Sequence, residues 1–342
     1  MAEIVLGLGV SHSPLLTLDW SEWRNRAEAD INNQALNLSD GRFVTYQQLV
    51  AERGEPYSPI VTTEQFQRHA DACQAQLDDI AALLRAVAPD VIVVVGDDHG
   101  ELFPQTAVPA LSIYHGHTIH MLNQYGGPDK PKWVRQMGEG YAMDRELSFP
   151  AAPDLAVEVI ERLIDAEVDV TAVGQTEHSD LTGFGHAFGF IIKRLLSDRE
   201  VPVLPVMLNT YYRPGVVNAS RAFDIGGKLA AALKDAPSNV RVAIVASGGL
   251  SHFVVDEELD RRILAGMSAG DGELLRSIPS EALNSGSSEI LNWILVAGAM
   301  QGFPLTHGWL DPIYRTAAGT GIGVAFARWE SPADTEFGRH AA

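Results

Sequence analysis

The sequence predicts an α/β fold in which a central sheet, mostly parallel or mixed, carries helices on both faces and is followed by a β-rich C-terminal part. Two observations support this prediction. Short, continuously apolar runs alternate along the chain with longer segments whose apolar residues recur at helical spacing. From Pro304 to Trp329 the chain is instead rich in glycine and strand-forming residues. Strand and helix in repetition are typical of a sheet covered on both sides.

Each element follows from one of these patterns. Apolar runs of strand length predict buried strands at Ile4–Val10, Val91–Val95, Val168–Val173, Val203–Leu208 and Val240–Ala246. Helical spacing predicts a helix over Thr63–Val87, which Pro89 ends. The same spacing predicts helices over Leu155–Ile164, Val217–Leu233, Glu258–Met267 and Glu289–Met300.

No linker is visible, and we expect one domain over residues 1–330 with an inserted polar region near residues 17–62. Residues 331–342 are expected to form a flexible tail. The stretch Gly116–Phe149 contains several glycines and prolines, which predict a long surface excursion. Such excursions in compact domains often form lids or the walls of a site.

The composition excludes some classes of partner. The formal net charge of −19 argues against nucleic acid and membrane surfaces, because both need a basic face on the protein. Cys73 is the only cysteine, so the sequence predicts neither a disulfide framework nor a thiolate metal cluster, and it favours the cytoplasm. No signal peptide is recognisable at the N-terminus, and no apolar run reaches the roughly 18 residues of a membrane span.

Four of the eleven histidines follow predicted strands by a few residues: His12, His99, His178 and His252. Because ligands bind where the carboxyl ends of parallel strands converge, these histidines are candidates for one site. A metal is the economical explanation, since neutral imidazole is a common ligand of iron, zinc, copper and nickel. Taken singly, each could instead be a turn residue whose ring is satisfied by hydrogen bonds.

Two further stretches carry chemistry. In NSGSSEILNWILVAGAM, Glu289 opens an apolar helix, where it is either a first-turn acid stabilised by the helix dipole or a carboxylate ligand. In ASGGLSHF, Gly248 and Gly249 allow a sharp turn after a buried strand and leave Ser251 and His252 at its rim. No nucleophile elbow surrounds this pair, and proton transfer by His252 needs none.

The remaining histidines carry weaker signals. His115, His117 and His120 in YHGHTIH could chelate at alternate positions of a strand, but we favour a polar strand or loop beside the site. The sequence leaves the role of His186 open.

These motifs occur in an order that resembles a known family. They are SHSP at His12, GDDH at His99, EHS at His178, SGGLSH at His252 and SGSSEILNW at Glu289. Together they resemble the protocatechuate 4,5-dioxygenase β-subunit family, the LigB-like class III extradiol ring-cleavage dioxygenases. The resemblance extends to the Gly-rich YRTAAGTGIG near the C-terminus. The opening MAEIVLGLGVSHSP looks most like the gallate and 3-O-methylgallate branch.

The resemblance implies that His12, His99 and Glu289 bind a non-haem Fe(II), with O₂ as the co-substrate. It implies that His252 is the acid–base histidine and that His178 faces the substrate. The expected reaction is extradiol cleavage of an aromatic diol such as protocatechuate, gallate or 3-O-methylgallate, with both atoms of O₂ incorporated. Two histidines and one carboxylate on one face of iron leave positions for two diol oxygens and for O₂.

The chain departs from the family in two respects. Where the family often has Asp-His-Gly, this chain has Glu177-His178-Ser179, which leaves the role of His178 open. Two-subunit members cover the site with a separate α subunit, and here Leu18–Ile60 or Gly116–Phe149 is expected to serve instead. We also expect a homodimer or a higher homo-oligomer.

By position alone, the wall that holds the ring substituent is assigned to Tyr314, Arg315 and Thr320. Arg315 could equally be a surface charge. If His99 is a ligand, Asp97 or Asp98 is expected to support its ring or to cap the turn.

Two other functions stay open. GDDHG resembles the Gly-Asp core of binuclear metallophosphoesterases, but those enzymes also need an early Asp-x-His where this chain has Ser11-His12-Ser13. The second is a non-catalytic binding protein of the same fold. The complete set of three ligand candidates together with His252 weighs against it.

Overall fold

The computed structural model describes residues 1–174, 183–197 and 199–331. Numbered in chain order, the strands are β1 (Glu3–Val10), β2 (Leu36–Asn37), β3 (Phe43–Val44), β4 (Val91–Gly96), β5 (Leu111–Tyr114), β6 (Thr118–Met121), β7 (Leu147–Pro150), β8 (Thr171–Val173), β9 (Val203–Leu208), β10 (Arg241–Ser247), β11 (Leu305–Tyr314) and β12 (Gly321–Glu330).

The helices are α1 (Pro14–Thr17), α2 (Trp23–Ile31), α3 (Tyr46–Arg53), α4 (Thr63–Val87), α5 (Lys132–Gly140), α6 (Pro153–Asp165), α7 (His186–Ile191), α8 (Ala219–Asp235), α9 (Glu257–Ala269), α10 (Gly272–Arg276) and α11 (Ile290–Ala299). Trp20–Glu22 and Ser285–Glu289 are 3₁₀ turns, and Ile192–Leu196 continues α7 as a π-helix.

An eight-stranded sheet in the order β11-β12-β1-β10-β4-β9-β5-β8 forms the centre of the fold. The four middle strands β1, β10, β4 and β9 run parallel. The C-terminal hairpin β11–β12 pairs antiparallel with β1, and β5 pairs antiparallel with β9 at the other side. The predicted class, an α/β fold with a mixed sheet and a β-rich C-terminal part, is confirmed.

Helices cover both faces of the sheet, and the interiors of the middle strands present apolar residues to both faces. Val93, Val95 and Ile244 belong to the core that packs under α6, α8 and α11. Their neighbours Val94 and Val245 belong to the core under α4 and α7. Strands buried on both faces are expected to be continuous apolar runs, as these are.

The predicted elements are present, and their bounds agree with the prediction to within about two residues except for one strand. The bounds of α4 and β9 are those predicted, whereas the strand predicted over Val168–Val173 is limited to Thr171–Val173. Glu289 ends a 3₁₀ turn rather than opening an α-helix, and α11 begins one residue later. The tail predicted over 331–342 lies outside the described residues except for Ser331.

The two irregular regions have structure of their own. Residues 17–62 contain α2, α3 and the small β2–β3 sheet, with a separate apolar cluster that includes Leu36, Leu49 and Val254. Residues 116–149 form the two-stranded β6–β7 sheet around α5. Within the described ranges, no helix is both long enough and apolar enough to cross a membrane.

A buried ion pair joins the inserted region to the C-terminal hairpin. Asp30 at the end of α2 accepts hydrogen bonds from Arg315 Nε at 2.7 Å and Nη2 at 3.2 Å. It also accepts one from the Thr320 hydroxyl at 2.9 Å. Asp30 is 1% exposed and Arg315 is 4% exposed. Because both charges are buried, each depends on the other for compensation.

Replacing Asp30 with Ala should lower the free energy of unfolding by about 3–5 kcal/mol, because Arg315 then becomes an uncompensated buried charge. The double variant Asp30→Ala/Arg315→Met should recover part of that loss. Arg42→Ala is the control, since it removes only exposed pairs with Asp40 and Glu52 and should cost less than about 1 kcal/mol. Denaturant unfolding measures all three, and equal losses for Asp30→Ala and Arg42→Ala would contradict this account.

Candidate active site

A cavity of about 450 Å³ lies at the carboxyl ends of β1, β10 and β4 and is lined by His12, His99, His252 and Glu289. The three strands are neighbours in the sheet, and their pairing aligns Val10 with Ser247 and Ala246 with Val95. Residues just beyond these ends therefore meet at one edge. Three of the four histidines predicted to share a site do so, and the cavity has the size of a small-molecule site.

His12 offers one ring nitrogen to the cavity. Its Nδ1 lies 3.0 Å from the Ser247 hydroxyl oxygen, and that hydroxyl donates to the carbonyl of Ala187 at 2.7 Å. Because the hydroxyl has only one proton, it must accept from Nδ1, which places the proton of the neutral ring there. Nε2 is buried and has no hydrogen-bond partner among the residues described. It therefore carries a lone pair suited to a metal.

Asp97 and His99 crowd together after β4. His99 Nε2 lies 2.5 Å from Asp97 Oδ2, yet this nitrogen and Asp97 Oδ1 have no aligned hydrogen-bond partner within the described ranges. Burial alone lowers the pKa of the His99 imidazole, but the Asp97 carboxylate raises it to about 10. Two adjacent donor atoms without hydrogen-bonded partners are what a cation site requires.

Asp98 caps the turn. Its carboxylate accepts hydrogen bonds from the backbone N–H groups of Gly100 at 3.2 Å, Leu102 at 2.7 Å and Phe103 at 3.1 Å. The two acids before His99 thus have separate roles: Asp98 orders the backbone, and Asp97 contacts the histidine.

Glu289 is held with one oxygen bonded and the other facing two histidines. Its Oε2 accepts the backbone N–H of Gly249 at 2.6 Å. Its Oε1 lies 3.7 Å from His12 Nε2 and 3.4 Å from His252 Nε2. Burial by itself raises the pKa of this carboxyl, but His252 and His12 lower it well below its ordinary value. Glu289 therefore faces two imidazole rings from inside the site and is not merely a first-turn acid.

These donors form a compact set. Ligand atoms of His12, Asp97 and Glu289 lie within 4.8 Å of one another, and all three residues are buried. Asp97 takes a place in this set that the sequence analysis gave to His99. Its only signal in the sequence was its position two residues before His99 in GDDH. The nitrogen and oxygen donors, several of them without hydrogen-bonded partners, fit a divalent transition metal.

His252 has one ring nitrogen fixed and one directed toward Glu289. Nδ1 lies 2.8 Å from the carbonyl of Leu250, to which it can only donate. The backbone N–H of His252 donates to the Ser287 hydroxyl at 3.0 Å. A Cβ on Gly286 would lie 2.2 Å from the His252 ring, so this glycine is required by close approach. The proton-exchanging atom of the neutral ring is therefore Nε2.

Asp260 on α9 holds the turn before His252. Its carboxylate accepts from the backbone N–H and the hydroxyl of Ser251, each at 2.8 Å. Burial raises the pKa of the Asp260 carboxyl to about 7, although the Ser251 hydrogen bonds lower it. Asp260 had no distinguishing signal in the sequence, because acids are common in the first turn of a helix.

His186 lies between the two histidines predicted to be ligands. Its ring centroid is 4.9 Å from that of His12 and 5.1 Å from that of His99. Its Nδ1 is 2.6 Å from Glu101 Oε1. Burial alone lowers the pKa of His186 and raises that of Glu101; their pairing reverses both effects and brings Glu101 to about 2. This largely buried pair contacts the rings on both sides of it, and Glu101 Oε2 also accepts the backbone N–H of His99 at 2.7 Å.

The strand before His178 does not end at the same edge of the sheet as the strands before the other three histidines, contrary to the prediction from the sequence. β8, the strand before it, pairs parallel with β5, and β5 pairs antiparallel with β9. The carboxyl end of β8 therefore faces the opposite edge of the sheet from those of β1, β4 and β10. His178 itself lies outside the described residues.

The predicted substituent wall is also corrected. Tyr314 and Thr320 are not among the residues that line the cavity. The Tyr314 hydroxyl donates to Glu257 and its ring stacks on Tyr57 at 3.8 Å, while Thr320 bonds to Asp30. Arg315 does line the cavity, but its guanidinium is paired with Asp30. It is neither a surface charge nor a free one.

Both regions expected to cover the site contribute to it. Residues 17–62 supply Arg26, and residues 116–149 supply Tyr125, Trp133, Met137 and Tyr141. By contrast, His115, His117 and His120 are not among the lining residues; His120 lies on β6, where its Nδ1 is 3.1 Å from the Ser148 hydroxyl. The interpretation of YHGHTIH as a polar strand beside the site agrees with this placement.

Comparison with known proteins gives a family match. A family model described as the catalytic LigB subunit of aromatic ring-opening dioxygenase matches residues 56–327, which is well over half of the chain. His99, His252 and Glu289 fall inside the matched range, and His12 precedes it.

Two curated relatives are similar at lower coverage. Both are named 2,3-dihydroxyphenylpropionate/2,3-dihydroxicinnamic acid 1,2-dioxygenase. The protein from Comamonas testosteroni is 27% identical over 185 residues, 52% of this chain and 49% of the relative. That from Rhodococcus sp is 27% identical over 212 residues, 59% of this chain and 58% of the relative. The chain thus spans about half the length of the curated relatives it matches, and neither name contains protocatechuate or gallate.

Titration of the Asp260 carboxyl should make the free energy of unfolding depend on pH. Because its pKa of about 7 lies above the ordinary value of 3.8, the folded state binds one more proton than the unfolded chain between these values. The free energy of unfolding should therefore fall as pH rises through this window, by up to about 1.4 kcal/mol per pH unit. Asp260→Asn should remove this contribution. Denaturant unfolding of both proteins from about pH 5 to about pH 8 measures it, and parallel curves would contradict it.

Proposed function

Given that the chain belongs to the family of catalytic LigB subunits of aromatic ring-opening dioxygenases, we propose that it is an Fe(II)-dependent extradiol dioxygenase acting on a catechol with a carboxylated side chain. The observation that carries the proposal is the convergence of donor atoms from His12, Glu289 and the Asp97–His99 pair beside His252 Nε2. Two histidines and one carboxylate are the donor set of non-haem Fe(II) oxygenases.

We assign the second histidine ligand to His99 rather than giving its place to Asp97. His99 lines the cavity, and Asp97 does not. A metal that takes substrate must be reached from the cavity, so the ligand that faces the cavity is preferred. Asp97, which also accepts a hydrogen bond from the Thr210 hydroxyl at 3.3 Å, would orient the His99 ring.

When bound, Fe(II) would supply positions for the two diol oxygens and for O₂ and would carry electrons between them. The chain's own residues set the donors beforehand. Ser247 fixes the tautomer of His12, and the Gly249 N–H holds one oxygen of Glu289 so that the other is free. Preset ligands lose less freedom on binding than mobile ones.

His252 is proposed to move the protons of the reaction. Ring opening of a diol needs a base for a hydroxyl proton and an acid for the oxygen that leaves. With Nδ1 bound to the Leu250 carbonyl, His252 can accept and return a proton only at Nε2. Histidine suits both directions because its charge changes near neutral pH. A substrate-facing role for His178 is proposed from the family resemblance alone.

The substrate proposal combines the resemblance with the names of the relatives. The sequence resembles the gallate and 3-O-methylgallate branch, whereas the two relatives are named for aromatic diols with a three-carbon acid side chain. The shared chemistry is a vicinal diol with a carboxylate. A cavity of about 450 Å³ has room for such a molecule.

The decisive experiment is anaerobic reconstitution with Fe(II), followed by O₂ consumption with protocatechuate, gallate, 3-O-methylgallate, 2,3-dihydroxyphenylpropionate and unsubstituted catechol. We expect uptake with at least one carboxylated diol and a ring-opened product. Two bound metals with phosphoesterase activity and no uptake would support the binuclear alternative. Neither metal nor uptake would support a binding protein of the same fold.

The ligand assignment predicts graded losses of metal affinity. His12→Ala, His99→Ala and Glu289→Gln should each abolish stoichiometric iron binding, because each removes a donor. Ser247→Ala removes only the hydrogen bond to His12 and should weaken binding by roughly 10–100-fold. Iron content and calorimetric titration of purified protein measure these changes.

Asp97→Asn tests whether His99 or Asp97 is the third metal ligand beside His12 and Glu289. If His99 is the ligand, this variant should retain iron with an affinity lowered no more than in Ser247→Ala. Loss of iron as complete as in His12→Ala, with normal binding in His99→Ala, would assign the position to Asp97. Glu289→Gln can still accept the Gly249 N–H, so its effect reports the lost charge rather than a disrupted turn.

Replacing His252 should separate catalysis from metal binding. His252→Phe and His252→Asn should keep iron and bind substrate anaerobically, yet lower kcat by roughly 10²–10⁴-fold, because a general acid or base is lost. The pH–rate profile should also lose one limb present in the wild type. Iron content, anaerobic titration and kcat are measured on one preparation. Iron loss would make His252 a ligand, and a normal kcat would remove it from the mechanism.

A further inference from the structure

Two arginines line the cavity, and the charge of only one is compensated. Arg315 is bound by the Asp30 carboxylate through two nitrogens. Arg26 on α2 also lines the cavity, and its guanidinium makes no side-chain hydrogen bond or ion pair with residues 1–174, 183–197 and 199–331. Its one packing partner of note is the Phe253 ring, whose centroid lies 6.0 Å from the guanidinium carbon. That separation is at the outer limit of a cation–π contact.

The geometry of α2 explains why Arg26 is left without a partner. Asp30 lies four residues later on the same helix, where it could pair with Arg26. Its oxygens are instead used by Arg315 and by the Thr320 hydroxyl. Burial lowers the pKa of the Arg26 guanidinium, and the charge of Arg315 lowers it further, whereas the charge of Asp30 raises it; an arginine stays protonated throughout. A partly desolvated cation that is hydrogen-bonded to no carboxylate is unfavourable until an anion binds.

A second group in the cavity also has an unused hydrogen bond. The Tyr141 hydroxyl is buried and has no hydrogen-bond partner in the described part of the chain. Burial raises the pKa of this phenol well above its ordinary value, so it remains a neutral donor. Tyr141 and Arg26 line the same cavity. A buried donor without a partner calls for an acceptor supplied by a ligand.

We propose that Arg26 determines the substrate class by binding the carboxylate of the ring's side chain, with the Tyr141 hydroxyl as a second donor, while the diol faces His12 and Glu289. The planar guanidinium fork matches a carboxylate in two parallel hydrogen bonds. A catechol without an anionic group would leave the cation uncompensated. This inference replaces Arg315 as the substituent contact, and it rests on the proposed function for the identity of the ring but not for the recognition of the anion.

The first test measures ligand binding in the absence of turnover. Metal-free full-length protein is titrated calorimetrically with benzoate, phenylacetate and 3-phenylpropionate, and with 3-phenylpropionamide as the uncharged match. Arg26→Met should weaken binding of the preferred carboxylate by about 10–100-fold, the loss expected for a hydrogen bond to a charged group, and should leave the amide unchanged. Arg26→Lys should restore part of the affinity. Arg24→Met, on the same helix but exposed, should have no effect.

Stability gives an independent readout. Because Arg26 has no charged partner in the ligand-free protein, Arg26→Met should not lower its melting temperature, whereas the wild type should gain more from added carboxylate. A wild type that binds acid and amide equally, or binds neither, overturns the proposal. So does an Arg26→Met variant that binds the acid normally.

Turnover then separates this inference from the proposed function. With iron, Arg26→Met should raise KM for carboxylated catechols and should lower the ratio of kcat/KM for a carboxylated catechol to kcat/KM for unsubstituted catechol by about 10–100-fold, because only the carboxylated substrate loses a contact. Cleavage that is indifferent to Arg26 overturns the anion site and keeps the dioxygenase. Arg26-dependent binding of carboxylates without cleavage of any catechol keeps the anion site and overturns the dioxygenase.

Discussion

The site depends on three parallel strands, β1, β10 and β4, that lie side by side and end at the same level. Their hydrogen-bonded register aligns Val10 with Ser247 and Ala246 with Val95. A shift by one residue would turn every side chain to the other face of the sheet. Both faces are packed under helices, so such a shift would not expose apolar side chains to solvent. It would instead disrupt the packing of both cores. The positions of His12, His99 and His252 follow from this register.

Beyond the strand ends, one polar network satisfies the backbone and presets the chemistry. Asn292 donates to the carbonyl of Ser247 at 3.0 Å, and Trp293 donates to that of Gly248 at 2.7 Å. Glu289, one turn earlier, accepts from Gly249. Buried backbone groups need such partners wherever a strand stops pairing. The turn therefore holds the proposed carboxylate ligand with the same contacts that complete its own hydrogen bonding.

The charged side chains near the cavity fall into those that stabilise the fold and one that is proposed to recognise the ligand. Asp30 compensates Arg315 and thereby ties the insertion to the C-terminal hairpin. In doing so it makes no hydrogen bond to Arg26 on its own helix. Glu101 in turn forms an ion pair with His186. Among the described residues that line the cavity, Arg26 is thus the arginine that is hydrogen-bonded to no carboxylate, and we propose it as the contact for an anionic ligand.

The sequence by itself determined the alternation of strands and helices, the full bounds of α4 and β9, and the placement of His12, His99 and His252 just beyond strands, because apolar periodicity and local motifs are properties of neighbouring residues. It left Glu289 open between a first-turn acid and a ligand, and only the resemblance to a family implied the second role. Only the tertiary structure decided the direction of β8, the contact of Asp97 with His99, and which arginine is paired. These outcomes depend on partners far apart in the chain: Asp30 and Arg315 are 285 residues apart. Local patterns predict which residues an element buries. They cannot predict which of two arginines will bind the Asp30 carboxylate, because that depends on how distant parts of the chain pack together.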